Sequence, residues 1–300
     1  MRATALEGEF SPMLPALHLP AVHTADSLAA IVADWRASGY SVGFVPTMGA
    51  LHEGHIALVL KALELADRVV VSIFVNPTQF APNEDLDRYP RTLEADSALL
   101  AAAGCHLLYA PEVEEIYPDG FATTIEVAGP ALGLESDARP HFFSGVATVV
   151  ARLLGQVRPD IAVFGEKDYQ QLLVVRQIVA DLALPVKIIA GETVRETDGL
   201  ALSSRNRYLA PQERMQAGRL NVILRDLANA LEDGEPLGAA LAHARTLAGN
   251  VFDAVDYVEV RDALTLAALP AGRLDRPARV LAAVRAGSTR LIDNMSAKPG

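Results

Sequence analysis

From Ser41 to about Val194 the chain alternates short β-branched apolar runs with helical stretches. That alternation admits few folds besides a parallel sheet with helices packed on its faces. The runs SVGFV (41–45), RVVVSIFV (68–75), HLLYA (106–110), IAVFG (161–165) and VKII (186–189) are apolar at consecutive positions, as strands buried on both faces are. Helical stretches are expected at about 55–66, 92–103, 145–156 and 168–182. In such a sheet, ligands bind beyond the strand C-termini, so the segments that leave the strands are where chemistry is sought.

The expected organisation has three parts. Residues 1–20, with Glu7, Glu9, Pro15 and Pro20, read as a loose N-terminal extension. Residues 21–193 form an α/β domain, a doubly wound parallel (Rossmann-like) sheet that binds the ligands. After Val194 two helical stretches, 211–231 and 237–247, precede the β-rich runs VDYVEV (255–260), ARVLAAV (278–284) and TRLIDNM (289–295). Residues 194–300 therefore read as a second, smaller α+β domain that closes over the site, joined by a polar link, GETVRETDG (191–199), with a bend at its Asp-Gly.

Composition narrows the partners. A chain of 300 residues that is 51% hydrophobic can bury a sizeable core. Its 26 Lys and Arg against 37 Asp and Glu leave a net charge of −11, which disfavours a nucleic-acid partner but permits a small anion held in a local pocket. Cys105 is the single cysteine, so an intrachain disulfide, a CxxC pair and a multi-cysteine zinc site are excluded. Every apolar stretch is interrupted, by Arg152 in one case and by Asp181, Pro185 and Lys187 in another, short of the ~18 residues of a membrane span. With no signal-like N-terminus, the expectation is a cytoplasmic protein with no membrane partner.

Four segments carry chemistry. VPTMGALHEGH (45–55) leaves a strand, turns through Gly49 and Gly54, and enters a helix with His52 and His55 three apart. Free N–H groups and the helix dipole there favour an anion, and imidazoles can hydrogen-bond phosphate oxygens. The spacing from Gly49 to Gly54 matches a P-loop, but His55 and Ile56 stand where its Lys and Ser or Thr belong. A zinc pair lacks both the HExxH register and a third ligand. Read alone, the two histidines are a phosphate cradle or a structural cap.

NPTQF (76–80) reaches the same rim, where Gln79 offers a donor and an acceptor suited to a hydroxy acid, or is a solvated loop residue. In FGEKDYQQ (164–171), Lys167 can neutralise phosphate, Asp168 can orient it or accept from a ribose, and Gln171 follows one helical turn later; a capping acid beside a surface lysine is the alternative. DGLALSSRNRYL (198–209) supplies serines and Arg205 for a mobile loop able to close on a triphosphate, or else a helix cap.

PTMGALHEGH, FVNPTQF, FGEKDYQQ and DGLALSSRNRYL, in that order, closely resemble the pantoate–β-alanine ligase family, within the HxGH nucleotidylyltransferase superfamily. The resemblance implies an AMP-forming ligase in which pantoate attacks the α-phosphorus of ATP and β-alanine then displaces AMP from pantoyl adenylate. It implies ATP as co-substrate, Mg²⁺ on the phosphates and a homodimer. His52, His55, Lys167 and Arg205 would carry catalysis, with His55 in the position usually assigned as proton donor. ATP would lie along the turn of Met48, Gly49, Ala50, Leu51, Glu53 and Gly54 with its two histidines. It would also meet Gly165, Glu166, Lys167 and Asp168, and further on Val194, Leu202, Ser203, Ser204 and Arg205. Gln79 and Gln171 would hold pantoate, with Gln79 also near β-alanine.

Two positions depart from the family pattern. RPHFFSGV stands for RPGHFxGV, which puts Phe142 at the usual histidine and His141 one residue early; Leu202 stands for a frequent Met. Another HxGH adenylyltransferase, or a catalytically silent nucleotide-binding protein, are the competing readings, with an aminoacyl-tRNA synthetase disfavoured by the acidic balance.

Overall fold

The computed structural model describes residues 17–80 and 86–300. The extension expected over 1–20 falls largely on residues 1–16, outside the described residues; of the remainder, Leu19 is buried and the Pro20 carbonyl accepts from Leu108 N at 2.9 Å.

Six strands form the main sheet: β1 (Ala21–Val22), β2 (Val42–Thr47), β3 (Arg68–Ile73), β4 (Leu107–Tyr109), β5 (Ile161–Gly165) and β6 (Lys187–Gly191). All pairings are parallel, in the order β1-β4-β3-β2-β5-β6. The helices are α1 (Ala25–Ala37), α2 (Glu53–Leu65), α3 (Leu93–Ala102), the short α4 (Val113–Ile116) and α5 (Glu135–Ala138), α6 (Phe142–Val157) and α7 (Tyr169–Asp181).

Strand residues alternate between two cores. Val42, Phe44, Val70, Leu107, Ala162 and Phe164 pack with α1, α6 and α7, while Val45, Val69, Val71, Leu108 and Val163 pack with α2 and α3. This is the doubly wound sheet expected from the sequence. Its chain runs outward from β2 through β3 to β4 and then returns to β5 on the other side of β2, so the order reverses between β2 and β5. The loops after those two strands flank the crevice where such sheets bind ligands.

Beyond β6 lie α8 (Pro211–Ala217), α9 (Arg219–Glu232), α10 (Leu237–Val251) and an antiparallel sheet of β7 (Ala254–Asp262), β8 (Ala278–Ala286) and β9 (Thr289–Ala297). The single helical stretch expected over 211–231 is broken at Gly218, where a Cβ would lie 2.5 Å from Asp198 Oδ2. Val258, Val260, Val280, Ala282 and Val284 face α9 and α10. The opposite face meets the helices of the main sheet: Leu281 and Tyr257 join the core of α6 and α7.

That face is fastened by charge. Arg290 Nη1 and Nη2 donate to the two oxygens of buried Glu135 at 2.7 and 2.8 Å, Tyr257 Oη donates to the same carboxylate at 2.8 Å, and Arg290 Nε donates to Asp256 at 2.6 Å. Among the described residues no helix is long and apolar enough to cross a membrane.

Because Glu135→Ala leaves both Nη atoms of Arg290 and the Tyr257 hydroxyl without their acceptor, while Arg290 keeps Asp256, it is expected to cost about 3 kcal/mol of stability, read as a lower urea midpoint at constant slope. A loss below about 1 kcal/mol would mean the pair behaves as a solvent-screened surface bridge.

Candidate active site

The turn from β2 into α2 is held by backbone conformation and one carboxylate. Gly49 and Ala50 both have positive φ, +81° and +51°, and a Cβ at Gly49 would stand 3.2 Å from Asp96 Oδ2. Asp96, on α3 and 2% exposed, accepts from Ala50 N at 2.9 Å and Leu51 N at 2.8 Å. Thr92 Oγ1 donates to the same carboxylate at 3.1 Å. Thr47 Oγ1 donates to Ser72 O at 2.7 Å and accepts from Gly49 N at 3.2 Å, which ties the turn to β3.

The two histidines cap α2 reciprocally. His52 Nδ1 accepts from Gly54 N at 3.1 Å, and His55 Nδ1 accepts from His52 N at 3.3 Å. A backbone N–H can only donate, so both Nδ1 atoms are unprotonated and the neutral rings carry their protons on Nε2. The rings lie 4.1 Å apart between centroids. Burial, with Lys167 and Arg207 adding positive charge, pulls His52 down to about 4 despite Asp168 opposing it. Burial, then His52 and Lys167, pulls His55 down to about 3. At neutral pH the pair offers two N–H donors and no net charge. Gly54 makes this possible: a Cβ there would lie 2.9 Å from His52 Cε1.

The loop after β3 orients Gln79. Asn76 is 1% exposed; its Oδ1 accepts from Thr78 N at 3.3 Å and from Tyr117 Oη at 2.8 Å, so its Nδ2 is the atom that reaches Gly145 O at 3.2 Å and Gln79 Oε1 at 2.8 Å. The acceptor of Gln79 is thereby used, and its Nε2 donors remain for a ligand. The expected donor-and-acceptor role narrows to donation. Arg139 Nη2 donates to the Gln79 carbonyl at 2.9 Å, and its guanidinium lies 3.9 Å over the Phe142 ring. Phe142 is thus a platform for Arg139, while His141 is exposed at the N-cap of α6. A Cβ at Gly145 would lie 2.5 Å from Thr78 O, so only glycine lets α6 come this close to the Gln79 loop.

Across the switch point, β5 runs into a short 3₁₀ turn, Glu166–Asp168, and then α7. Lys167 and Asp168 are partly exposed, and both act electrostatically on His52. Glu166, expected along ATP, has its carboxylate 3.2 Å from Arg279. Gln171 has no hydrogen-bond partner among the described residues, whereas its neighbour Gln170 is buried and braces the 130–135 loop through Glu135 N, Pro130 O and Gly133 O.

The 194–208 segment is anchored at its base. Leu202 N donates to Val194 O at 3.0 Å, Arg195 is paired with Asp293 at 2.7 Å, and Arg214 is paired with Glu196 and Asp198, each at 2.6 Å. Leu202 Cβ stands 3.8 Å from where a Gly54 Cβ would be, so the segment lies against the histidine turn. Ser203 Oγ accepts from Arg205 N at 3.2 Å and starts the 3₁₀ turn Ser204–Tyr208. Arg207, absent from the sequence reading, is the arginine of this turn whose charge His52 feels. Asp96, Tyr117 and Arg139 were also missed; each acts on the site from a distant segment, and a buried acid in the apolar run of α3 was the one available signal.

The free N–H groups expected at this turn are mostly engaged, those of Gly49 to His52 and Gly54 to Ile56 all having partners within the protein. The crevice at the switch point is edged instead by neutral imidazoles, a lysine and the positive end of α2, a setting suited to a nucleotide's phosphates and to a nucleotide-using enzyme. The family model described as pantoate-beta-alanine ligase matches residues 20–296, and the chain belongs to that family. Proteins named pantothenate synthetase from Maricaulis maris and Paramagnetospirillum magneticum are 59% and 55% identical to it. The alignments cover 94% and 93% of this chain and 98% and 99% of theirs. The crystal structure of pantothenate synthetase from Thermus thermophilus is similar with a TM-score of 0.87 at 48% identity, over 94% of this chain and all 100% of that one. A pantoate-beta-alanine ligase from Francisella tularensis, complexed with an ATP compound and β-alanine, gives 0.75 at 36% identity, over 92% and 97% of the two chains. The reaction is therefore the ATP-dependent condensation of pantoate with β-alanine, through pantoyl adenylate, releasing pyrophosphate and AMP.

Two outcomes are expected from this geometry. In the ligand-free protein, ¹⁵N–¹H correlation spectra should show His52 and His55 as Nε2–H tautomers that stay neutral from pH 8 to about pH 5, because both titrate well below the ordinary 6.5. A midpoint near 6.5 for either ring would refute the capped, neutral pair. Gly54→Ala should displace the His52 ring and cut pyrophosphate exchange at least about tenfold with little change in Tm, since the lost cap of ~1 kcal/mol is offset in part by alanine's helix preference. Unchanged exchange would show that the ring position is not needed.

Proposed function

We propose that ATP lies across the switch point, its phosphates between the N-terminus of α2 and the 3₁₀ turn after β5, with pantoate held on the Gln79 side. The observation that carries this reading is the reciprocal cap of His52 and His55: with both Nδ1 atoms engaged by backbone N–H, each ring has its Nε2–H to give to a phosphate oxygen. The binding of an ATP compound and β-alanine by the Francisella relative supports it.

In the first step a pantoate carboxylate oxygen attacks the α-phosphorus in line and the bond to the β-phosphate oxygen breaks, so pyrophosphate leaves with the electron pair. Charge builds on the phosphate oxygens. The imidazole N–H groups, Lys167, and the arginines 205 and 207 supply donors and positive charge there without forming a bond to substrate. With Nδ1 engaged by His52 N, the His55 ring has an Nε2–H to donate, and its role in this reading is mainly electrostatic stabilisation in place of the proton donation usually assigned to that position. Gln79 and Gln171 hold pantoate, Gln79 through its amide N–H groups. In the second step the β-alanine nitrogen attacks the acyl carbon, the acyl–phosphate bond breaks, AMP leaves and the amine loses a proton.

Mg²⁺ on the triphosphate would supply neutralisation of the phosphate charge. Among the described residues no group of three His, Cys, Asp or Glu side chains is arranged to hold a resident metal, and Mg²⁺ commonly rests on phosphates, water and one carboxylate, for which Asp168 is suited. Residues 202–205 close over the phosphates from the C-terminal domain. The resemblance further supports a homodimer in the cytoplasm.

Pantoate-dependent exchange of labelled pyrophosphate into ATP, without β-alanine, tests the first step alone. His55→Ala should lower that exchange by about 10² or more while the fold persists. Near-normal exchange would remove His55 from the mechanism.

A further inference from the structure

The run at 289–295, which forms most of β9, carries a buried amide that the reaction as described leaves unused. Asn294 is 3% exposed, and its Nδ2 donates to Glu166 O at 3.0 Å and to Lys167 O at 2.8 Å. Its Oδ1 accepts from Arg279 Nε at 2.6 Å. Carbonyls only accept and a guanidinium N–H only donates, so the amide has one possible orientation. Arg279 is itself fixed: it is buried, donates to Glu166 Oε2 at 3.2 Å, and lies 4.1 Å over the Tyr169 ring.

The two carbonyls belong to the peptide units on either side of the Lys167 Cα. Within its own segment that turn has little to hold it, since neither the 3₁₀ turn nor α7 has a side-chain cap at its N-terminus. Both contacts are partly shielded from water, and one side chain from β9 donates to two carbonyls of the turn.

We propose that Asn294 is a positioning residue for adenylation: by holding the peptide units flanking Lys167, it sets the backbone from which the ammonium reaches the ATP phosphates. Arg279 keeps the amide in its donating orientation. The proposal rests on the reading of Lys167 as a phosphate ligand. Asparagine is required for a chemical reason, because aspartate has nearly the same shape but would turn an acceptor toward two acceptors.

The test is a double-mutant cycle on the full chain with Asn294→Asp, Lys167→Ala and the pair, reading KM for ATP, KM for pantoate and kcat. Asn294→Asp is expected to raise KM for ATP about tenfold and to move KM for pantoate less than twofold. In the Lys167→Ala background it is expected to change KM for ATP less than twofold. An equal loss in both backgrounds, or parallel rises for ATP and pantoate, would overturn the proposal, since a residue acting only on the fold gives those patterns. If Lys167→Ala alone leaves KM for ATP unchanged, the phosphate reading of Lys167 fails and the proposal falls with it. Should Asn294→Asp not fold, Asn294→Ser keeps one donor and reads the same constants: a smaller, ATP-specific rise supports the proposal and an unchanged KM overturns it.

Discussion

Asp96 receives two consecutive backbone N–H groups, those of Ala50 and Leu51, in a place from which water is nearly excluded. Much of the site depends on that contact. It holds the left-handed pair Gly49 and Ala50, which brings the chain round so that His52 can cap α2 and fold its ring over Gly54. A carboxylate is well matched to this work because each oxygen can accept strongly from an N–H, and the stranded alternative would be costly in so dry a setting. The turn is therefore organised by one of the protein's own anions on its rear side, and with the N–H groups of His52, Gly54, His55 and Ile56 taken by the cap itself, the two Nε2–H groups are the donors that the histidines have left to present.

The histidine pair follows a similar economy of hydrogen bonds. Each ring gives its acceptor to the backbone and so becomes a donor toward ligand, and Asn76 does the equivalent to Gln79. Three side chains that could present either polarity are each reduced to one. Donors presented in this way are complementary to carboxylate and phosphate oxygens, which only accept. Burial first, and then the charges of Lys167 and Arg207 against that of Asp168, keeps the His52 ring neutral, so the cations bear the charge and the imidazoles the geometry.

What could be read from the sequence was what lies within one segment. Buried parallel strands are nearly continuous apolar runs, and five of the six in the sheet stand out for that reason; β1, two residues long, does not. The helix α1, which the sequence reading also passed over, has its cap in plain view, with Thr24 accepting from Ser27 N. The four polar segments were visible because turns at strand ends concentrate glycine and hydrogen-bonding residues. What could not be read was the partner of each: Asp96 for residues 50 and 51, Arg139 for Gln79, Asn294 for the Lys167 turn. Those are contacts between residues far apart in sequence, and no local period encodes them. That Gln170 is buried and braces the 130–135 loop was equally beyond local reading, and so was the place of Phe142 beneath the Arg139 guanidinium.

The contact between Asn294 and the Glu166 carbonyl spans 128 residues of chain. During synthesis, β5 and the turn that follows it leave the ribosome long before β9 exists, and their carbonyls are hydrated meanwhile. The parallel sheet can collapse around its two apolar cores without the later strands, since those cores draw almost wholly on earlier residues. Only with β9 in place do the two carbonyls of the turn meet the Asn294 amide. Vectorial translation thus orders the assembly: the scaffold precedes the finished nucleotide site, and a chain still tethered to the ribosome carries the main sheet before it carries that site in its final form.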